Sequence, residues 1–340
     1  MSSTTHVHIT SAARLHFGFF YPLSSHHTTR HFGSVGMAIH GFKAQLNAHY
    51  TPNDNAPLAQ NIHMIGLENN TLLRKSQALA QQYKRTGHLT LDFTTTIPTH
   101  QGLGSGTQHA LLCAHAIIHL CQLPITIRKS TALMGRGQRS GIGIASYEQG
   151  GFIIDNGIQK NMPHVPPTPY QRVTLPTAWR VLLILAPHQQ GVHGHAEKHA
   201  FHTLNQQKTQ RLTHNATQYH GTTPDSIIQS ITQKDFATFS RHIGKLQHAM
   251  SSHFAFAQNH RPYASTKVAH ALHYLQHQGI QGYGQSSWGP TGFAFFPHTR
   301  DASRTLHALQ QLETSLTYRI VSPCAHGATL TDMTAHTAYD

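Results

Sequence analysis

The sequence predicts an α+β protein, arranged as two lobes or as one large composite domain. Three observations lead there. At roughly 150 residues per domain, a chain of 340 residues is long enough for two cores. Short β-branched or alternating stretches are interleaved with longer stretches of helical spacing. Four prolines crowd into the eight residues from Met162 to Pro169, which excludes a helix or a central strand and marks a lobe boundary. The expected division is therefore residues 1–162, a proline-rich linker over 163–176, and residues 177–340.

Taken in order, Val7 to Ile9 and Arg14 to Phe20 read as strands. The run Gly33-Ser-Val-Gly36 reads as a turn before a strand from Met37 to Tyr50. Leu72 to Tyr83 has helical spacing, and Leu89 to Ile97 alternates with β-branched residues as a strand does. After Pro98 and a glycine-rich junction, Gln108 to Leu120 is so apolar that a helix buried on most sides is expected. A second helix is expected near Arg128 to Leu133, and a strand from Gly150 to Asp155. Beyond the prolines, Trp179 to Ala186 reads as a buried strand. Helical stretches follow at 196–211, 224–231, 235–257 and 263–278. A strand at Gly292 to Phe296, a helix at Arg300 to Leu312 and a strand at Thr317 to Val321 close the sequence.

Composition excludes several classes. Hydrophobic residues make up 38% and charged residues only 11%, which is not the balance of a disordered chain. No apolar run reaches the roughly 18 residues of a membrane span, and no signal peptide is visible at the start. Cys113, Cys121 and Cys324 form no CxxC pair, so a reduced, cytoplasmic protein is expected. The net charge is +13 with histidine neutral, which suits either nucleic acid or a small polyanion. Basic residues never run beyond two and no aromatic interleaving accompanies them, so nucleic acid is not an expected partner. The 33 histidines make chance pairs such as His195 and His199 unavoidable, and neither an HExxH pattern nor a nearby cysteine supports a transition-metal site.

Three glycine-rich stretches carry the chemistry. The first, Pro98 to Thr107, joins a strand to an apolar helix. Its glycines can converge several N–H groups, with Ser105 and Thr107 adding hydroxyls, at the positive end of the helix dipole. It has neither the Gly-Lys-Ser/Thr ending of a P-loop nor dinucleotide-fold spacing. The second, Gly135 to Gly151, sets Arg136 and Arg139 among glycines, as a loop gripping a polyanion or as a mobile surface turn. Glu148 and Asp155 flank it, as Mg²⁺ ligands or as turn-capping acids. The third, Gly282 to Gly289, offers Ser286, Ser287 and the Trp288 ring, either as a platform for an aromatic substrate or as core.

The order of these stretches resembles the GHMP superfamily of small-molecule kinases. Pro98 to Thr107 is similar to that family's central phosphate loop, with Gly106 in place of its last serine. Thr10 to Gly18 and Gly282 to Gly292 stand at its first and third motifs. The resemblance implies an N-terminal ribosomal S5-like lobe and a C-terminal ferredoxin-like lobe. One position departs: Ser140-Gly-Ile-Gly143 carries glycine where the kinases carry their catalytic aspartate. A narrower resemblance is to the β-ribofuranosylaminobenzene 5′-phosphate synthase family. It rests on Ala13 to Gly18, Phe32 to Gly36, Gly135 to Gly143, Glu148 to Asp155, Gly191 to Phe201 and Gly284 to Pro290.

That second resemblance implies condensation of 4-aminobenzoate with phosphoribosyl pyrophosphate, with release of CO₂ and pyrophosphate, on the way to tetrahydromethanopterin. It also implies Mg²⁺ and a homodimer. On this reading Arg136, Arg139 and Ser140 are the candidate catalytic residues, and Gly102, Leu103, Gly104, Ser105, Gly106 and Thr107 hold phosphate. Arg14, His16, Arg30, Ser286, Ser287 and Trp288 bind substrate, and Glu148 and Asp155 hold the metal. The alternatives are an ATP-dependent GHMP kinase, and a binding protein without turnover.

Overall fold

The computed structural model describes residues 4–20, 33–159, 161–162, 165–191, 221–255, 258 and 260–333. Two sheets organise the described residues. The first is built on a long antiparallel pair, β1 (Thr5–Phe20) and β2 (Gly33–Thr51). β1 buries alternate residues over its first half and nearly all of them from Leu15 on, where helices cover both faces. One half of β2 pairs with β4 (His88–Thr95), which lies parallel to β3 (Ile62–Ile65). Its other half pairs with β5 (Phe152–Asp155), and β5 with β6 (Pro169–Val173). The chain's last strand, β11 (Thr329–Asp332), returns to the free edge of β1. The first sheet thus takes one edge from the proline-rich stretch and another from the C-terminal part of the sequence.

The second sheet has the antiparallel order β10 (Thr317–Val321), β7 (Arg180–Leu185), β9 (Gly292–Phe296) and β8 (Tyr283–Gln285). Helices α1 (Asn70–Gln82), α2 (Ser105–Leu120), α3 (Ile127–Ser130) and α4 (Ile142–Gln149) serve the first sheet. α5 (Pro224–Thr232) packs on α6 (Phe236–Ala255) and on β6, α6 packs on β8 and β1, and α7 (Thr266–His277) and α8 (Thr299–Leu312) serve the second sheet. α2 is buried almost all round, as its composition requires.

An aromatic cluster joins the two halves. Phe17 of β1 meets Phe152 of β5 and Phe293 and Phe295 of β9, while Phe239 of α6 bridges Phe152, Phe295 and Trp179. Beside it Gln247 of α6 donates to the Phe17 carbonyl and accepts the Gln285 N–H, a buried polar tie between β1 and β8.

Two expectations are corrected. Gly33 to Gly36 is not a turn but the start of β2. Its glycines answer to neighbours: a Cβ at Gly36 would lie 2.4 Å from the Leu15 carbonyl. The second glycine stretch is only partly loop, because Ile142–Gln149 is helical. Its first turn is satisfied by Asp155, which accepts the Gly141 N–H from across the strand, and by the Ser140 hydroxyl, which accepts that of Ile142. The helix expected at 196–211 lies outside the described residues.

Candidate active site

All three glycine stretches meet at one cleft of about 390 Å³. The floor is the N-terminus of α2. Gly104 takes φ +82° there, a left-handed conformation suited to glycine, and no side chain caps the helix, so its first N–H groups face outward. Two arginines close on this floor. Arg14 donates to the Gly102 carbonyl at 2.8 Å and packs against Gly104. The Arg136 guanidinium lies over Gly106, 3.2 Å from where a Cβ would stand. Lys75 of α1 fixes the base of the second stretch by donating to the Met134 carbonyl at 2.9 Å.

The third stretch packs backbone to backbone on the first. Ser286 donates to the Gly102 carbonyl at 2.7 Å and accepts the His16 N–H at 3.1 Å, while Ser287 N–H donates to the His16 carbonyl at 3.0 Å. Gly191 N–H donates to the His100 carbonyl, bringing the segment after β7 to the same rim.

Most of the expected residues therefore converge. Arg14, His16, Gly102, Gly104, Ser105, Gly106, Thr107, Arg136, Arg139, Ser140, Ser287 and Trp288 line the cleft. Leu103 and Ser286 stand behind it as fully buried supports. Trp288 is both core and wall, only 3% exposed yet lining the cleft. Arg30, His195, Glu197 and His199 lie outside the described residues. Sequence reasoning missed Asn69, Thr99, His100 and His109. For His109 a signal existed, since four residues after Ser105 it shares a face of α2 with the loop.

The two expected metal ligands lie elsewhere in the fold. Glu148 and Asp155 do not line the cleft. Glu148 is held by Arg128 in a partly buried ion pair. Asp155 is buried, with backbone N–H groups of Ser34, Gly157 and Gly141 donating to its oxygens. Among the described residues no three His, Cys, Asp or Glu side chains are grouped to hold a metal ion, and no carboxylate lines the cleft. Among the described residues, the cleft lining supplies no carboxylate to hold Mg²⁺.

Three buried histidines, His16 and His109 of the cleft and His115 behind them on α2, are pushed toward the neutral form. Burial, reinforced by the nearby Arg14 charge, drives the imidazole of His16 down to about 3. Burial and Arg136 bring His109 to about 4, and burial, with His119 adding to it, brings His115 to about 4. Each folded-state value lies below the unfolded value of 6.5, so their contribution is complete above pH ~6.5 and is lost as pH falls toward 3 to 4. Lowering the pH from 7 to 5 is expected to remove on the order of 4 kcal/mol of stability, after discounting for partial exposure of His109 and His115. Denaturant melts across that range check it, and a flat profile would refute it.

Against known proteins, the profile of the GHMP kinases N terminal domain matches residues 70–151. The chain is 27% identical over 210 residues to the beta-ribofuranosylphenol 5′-phosphate synthase of Methanothermobacter thermautotrophicus, covering 58% of this chain and 60% of that protein. It is 32% identical over 121 residues to the protein of the same name from Archaeoglobus fulgidus, covering 33% and 38%. The aligned part thus spans at most about 60% of these two relatives. Among solved structures, mevalonate diphosphate decarboxylase from Staphylococcus aureus superposes with a TM-score of 0.68 at 10% identity, covering 96% of this chain and 98% of that one. Homoserine kinase from Cytophaga hutchinsonii does so at 0.63 and 14% identity, covering 96% and 97%. The fold is that of the GHMP kinases.

Proposed function

We propose that this chain, a relative of the β-ribofuranosylphenol 5′-phosphate synthases with the GHMP-kinase fold, is itself a decarboxylating phosphoribosyltransferase. The donor is phosphoribosyl pyrophosphate and the acceptor a benzoate with a para electron donor. The sequence resemblance implies a product with an amino group, whereas the two archaeal relatives are named for a phenol. Either substituent feeds electrons into the ring carbon that bears the carboxylate, so 4-hydroxybenzoate and 4-aminobenzoate present the same nucleophile. In this reading the protein works as a cytoplasmic homodimer.

One observation supports this above the kinase alternative. The cleft carries Arg14, Arg136 and Arg139 and no carboxylate among its described lining residues, and Gly143 lines it where the kinases place their aspartate. Departure of pyrophosphate leaves positive charge on the anomeric carbon and needs its own negative charge stabilised. Arginines and helix N–H groups supply that stabilisation. The ring carbon attacks as the C–O bond to pyrophosphate breaks. The carboxylate then leaves as CO₂, and its bonding electrons restore the aromatic ring. No proton leaves the ring, so no strong base is required. A phosphoryl transfer from ATP to an alcohol would lack its general base here, a deficit of about a hundredfold or more. Mg²⁺ enters this reading only as a counterion carried on the diphosphate.

Carboxyl-labelled 4-hydroxybenzoate or 4-aminobenzoate incubated with phosphoribosyl pyrophosphate tests it. Labelled CO₂ and pyrophosphate are expected in equal amounts. No label from either acid, or ATP-dependent phosphorylation of a small alcohol instead, overturns the assignment.

A further inference from the structure

Among the described residues, six other than glycine hold a left-handed backbone, with φ between +48° and +59°. Lys84, Gln122 and Lys234 directly follow the C-caps of α1, α2 and α5, where such a residue ordinarily ends a helix. His260 stands in the turn that the Arg261 N–H closes on the Gln258 carbonyl. The remaining two, His100 (φ +58°) and Ser287 (φ +56°), both line the cleft. At His100 the carbonyl receives the Gly191 N–H at 2.9 Å, so its conformation serves a contact between two segments.

Ser287 is a different case. Its N–H donates to the His16 carbonyl at 3.0 Å, and its carbonyl accepts from Gln285 Nε2 at 2.9 Å. Those two bonds fix the backbone, and glycine would satisfy both with less strain. The choice of serine therefore has its reason in the side chain. Yet the hydroxyl makes no hydrogen bond to another described residue, and its oxygen stays open to solvent on a half-buried residue. It is the only polar atom Ser287 has left to offer the cleft. Strain kept for a side chain that does nothing for the fold points to a ligand contact. The surroundings indicate which ligand group is met. Ser286 and the Arg14 guanidinium both donate to the Gly102 carbonyl, at 2.7 and 2.8 Å, so Arg14 and the neighbour of Ser287 share one acceptor. The uncapped N-terminus of α2 forms the floor beside them, and no carboxylate is among the described lining residues. Such charges attract anionic oxygen, toward which a hydroxyl acts as donor.

We propose that serine is kept at the left-handed position 287 so that its hydroxyl donates a hydrogen bond, beside Arg14, to an anionic oxygen of the ligand bound in the cleft. This rests on the synthase reading only for the choice of ligand. That reading supplies two sources of such an oxygen: the phosphates of phosphoribosyl pyrophosphate, or the carboxylate of the benzoate.

Two substitutions separate the strain from the hydroxyl. Ser287→Gly removes both, and Ser287→Ala removes the hydroxyl alone. Titration calorimetry measures the binding of inorganic pyrophosphate, ribose 5-phosphate and 4-hydroxybenzoate, each added alone, to the unaltered protein and both variants, beside thermal melts. Both variants are expected to bind at least one probe roughly tenfold more weakly. Ser287→Gly is expected to melt no lower than the unaltered protein, and up to about 1 °C higher. Activity lost while stability holds or rises is the signature of a residue strained for its ligand. Weakening of either phosphate probe assigns the hydroxyl to phosphate, and weakening of 4-hydroxybenzoate assigns it to the carboxylate. Binding within twofold for every probe in both variants overturns the proposal. So does a loss confined to Ser287→Gly, which makes the side chain a stiffener of the loop, or a loss that comes with a lowered Tm, which makes it packing. An unaltered protein that binds none of the three anions overturns it as well. Binding is read without turnover, so a protein that holds these anions but releases no CO₂ fails the synthase reading alone.

Discussion

Replacing Arg136 by alanine is expected to lower kcat/KM for phosphoribosyl pyrophosphate by roughly a thousandfold, with Tm moved by no more than a few degrees. The side chain is half-buried on the cleft wall, its guanidinium resting over Gly106 at the first turn of α2. Its backbone is fixed by donation to the Thr131 carbonyl at 2.7 Å, and its guanidinium packs over Gly106. A guanidinium beside free helix N–H groups gains most where a diphosphate takes on charge as it leaves, a contribution of about 3 to 4 kcal/mol. Little of that is spent on the fold. Arg136→Lys restores charge without the planar fork and is expected to recover only part of the rate. Steady-state kinetics over both substrates, beside thermal melts, check the split. An Arg136→Ala enzyme with unchanged kcat/KM removes this residue from the site.

How far the sequence anticipated this arrangement depends on where each residue's reason lies. Helices α1 and α2, strands β4 and β7 and the ends of the glycine loops were legible because their signals are local: periodicity, β-branching and punctuation by proline and glycine. What was misread is governed from a distance. α4 looked like loop because its N-terminus is satisfied by Asp155, fourteen residues on and in another element. Gly33 and Gly36 looked like a turn, although their missing side chains make room for Asp155 and Leu15 backbone on adjoining strands. β11 pairs with β1 across almost the whole chain, which no local pattern announces.

The site divides the same way. Arginine beside glycine is a pattern that a sequence displays, and Arg14, Arg136 and Arg139 all reach the cleft. Acids near such a loop have two futures, metal ligand or structural anchor, and only the third dimension decides between them. Glu148 meets Arg128 and Asp155 meets a ring of N–H groups. The scarcity of acids in the sequence becomes, in the fold, a cleft whose described lining has none.

Gly289→Ala is expected to do what loss of an arginine does not, and damage fold and activity together. A Cβ at this position would stand 2.2 Å from the Gly102 nitrogen and 2.4 Å from the Gln101 carbonyl carbon. On the other side of the same contact, a Cβ at Gly102 would meet the Ser286 carbonyl oxygen at 2.3 Å. Both obstacles are backbone, so no rotamer change relieves them and the two loops must part. Parting them breaks the Ser286 to Gly102 hydrogen bond and releases the Ser286 hold on the His16 N–H. The first glycine stretch and His16, both lining the cleft, then move together. Overpacking of this kind costs about 3 kcal/mol, which for a chain of 340 residues lowers Tm by roughly 4 °C. The KM for phosphoribosyl pyrophosphate is expected to rise at least tenfold alongside. Gly279→Ala is the control: it also constrains a glycine, at φ +73°, but a Cβ there meets nothing within 4 Å. Its cost is limited to the strained backbone, about 1 kcal/mol, with kinetics unchanged. If Gly289→Ala melts and turns over like Gly279→Ala, the first and third glycine stretches are not in contact and the cleft is not built as described.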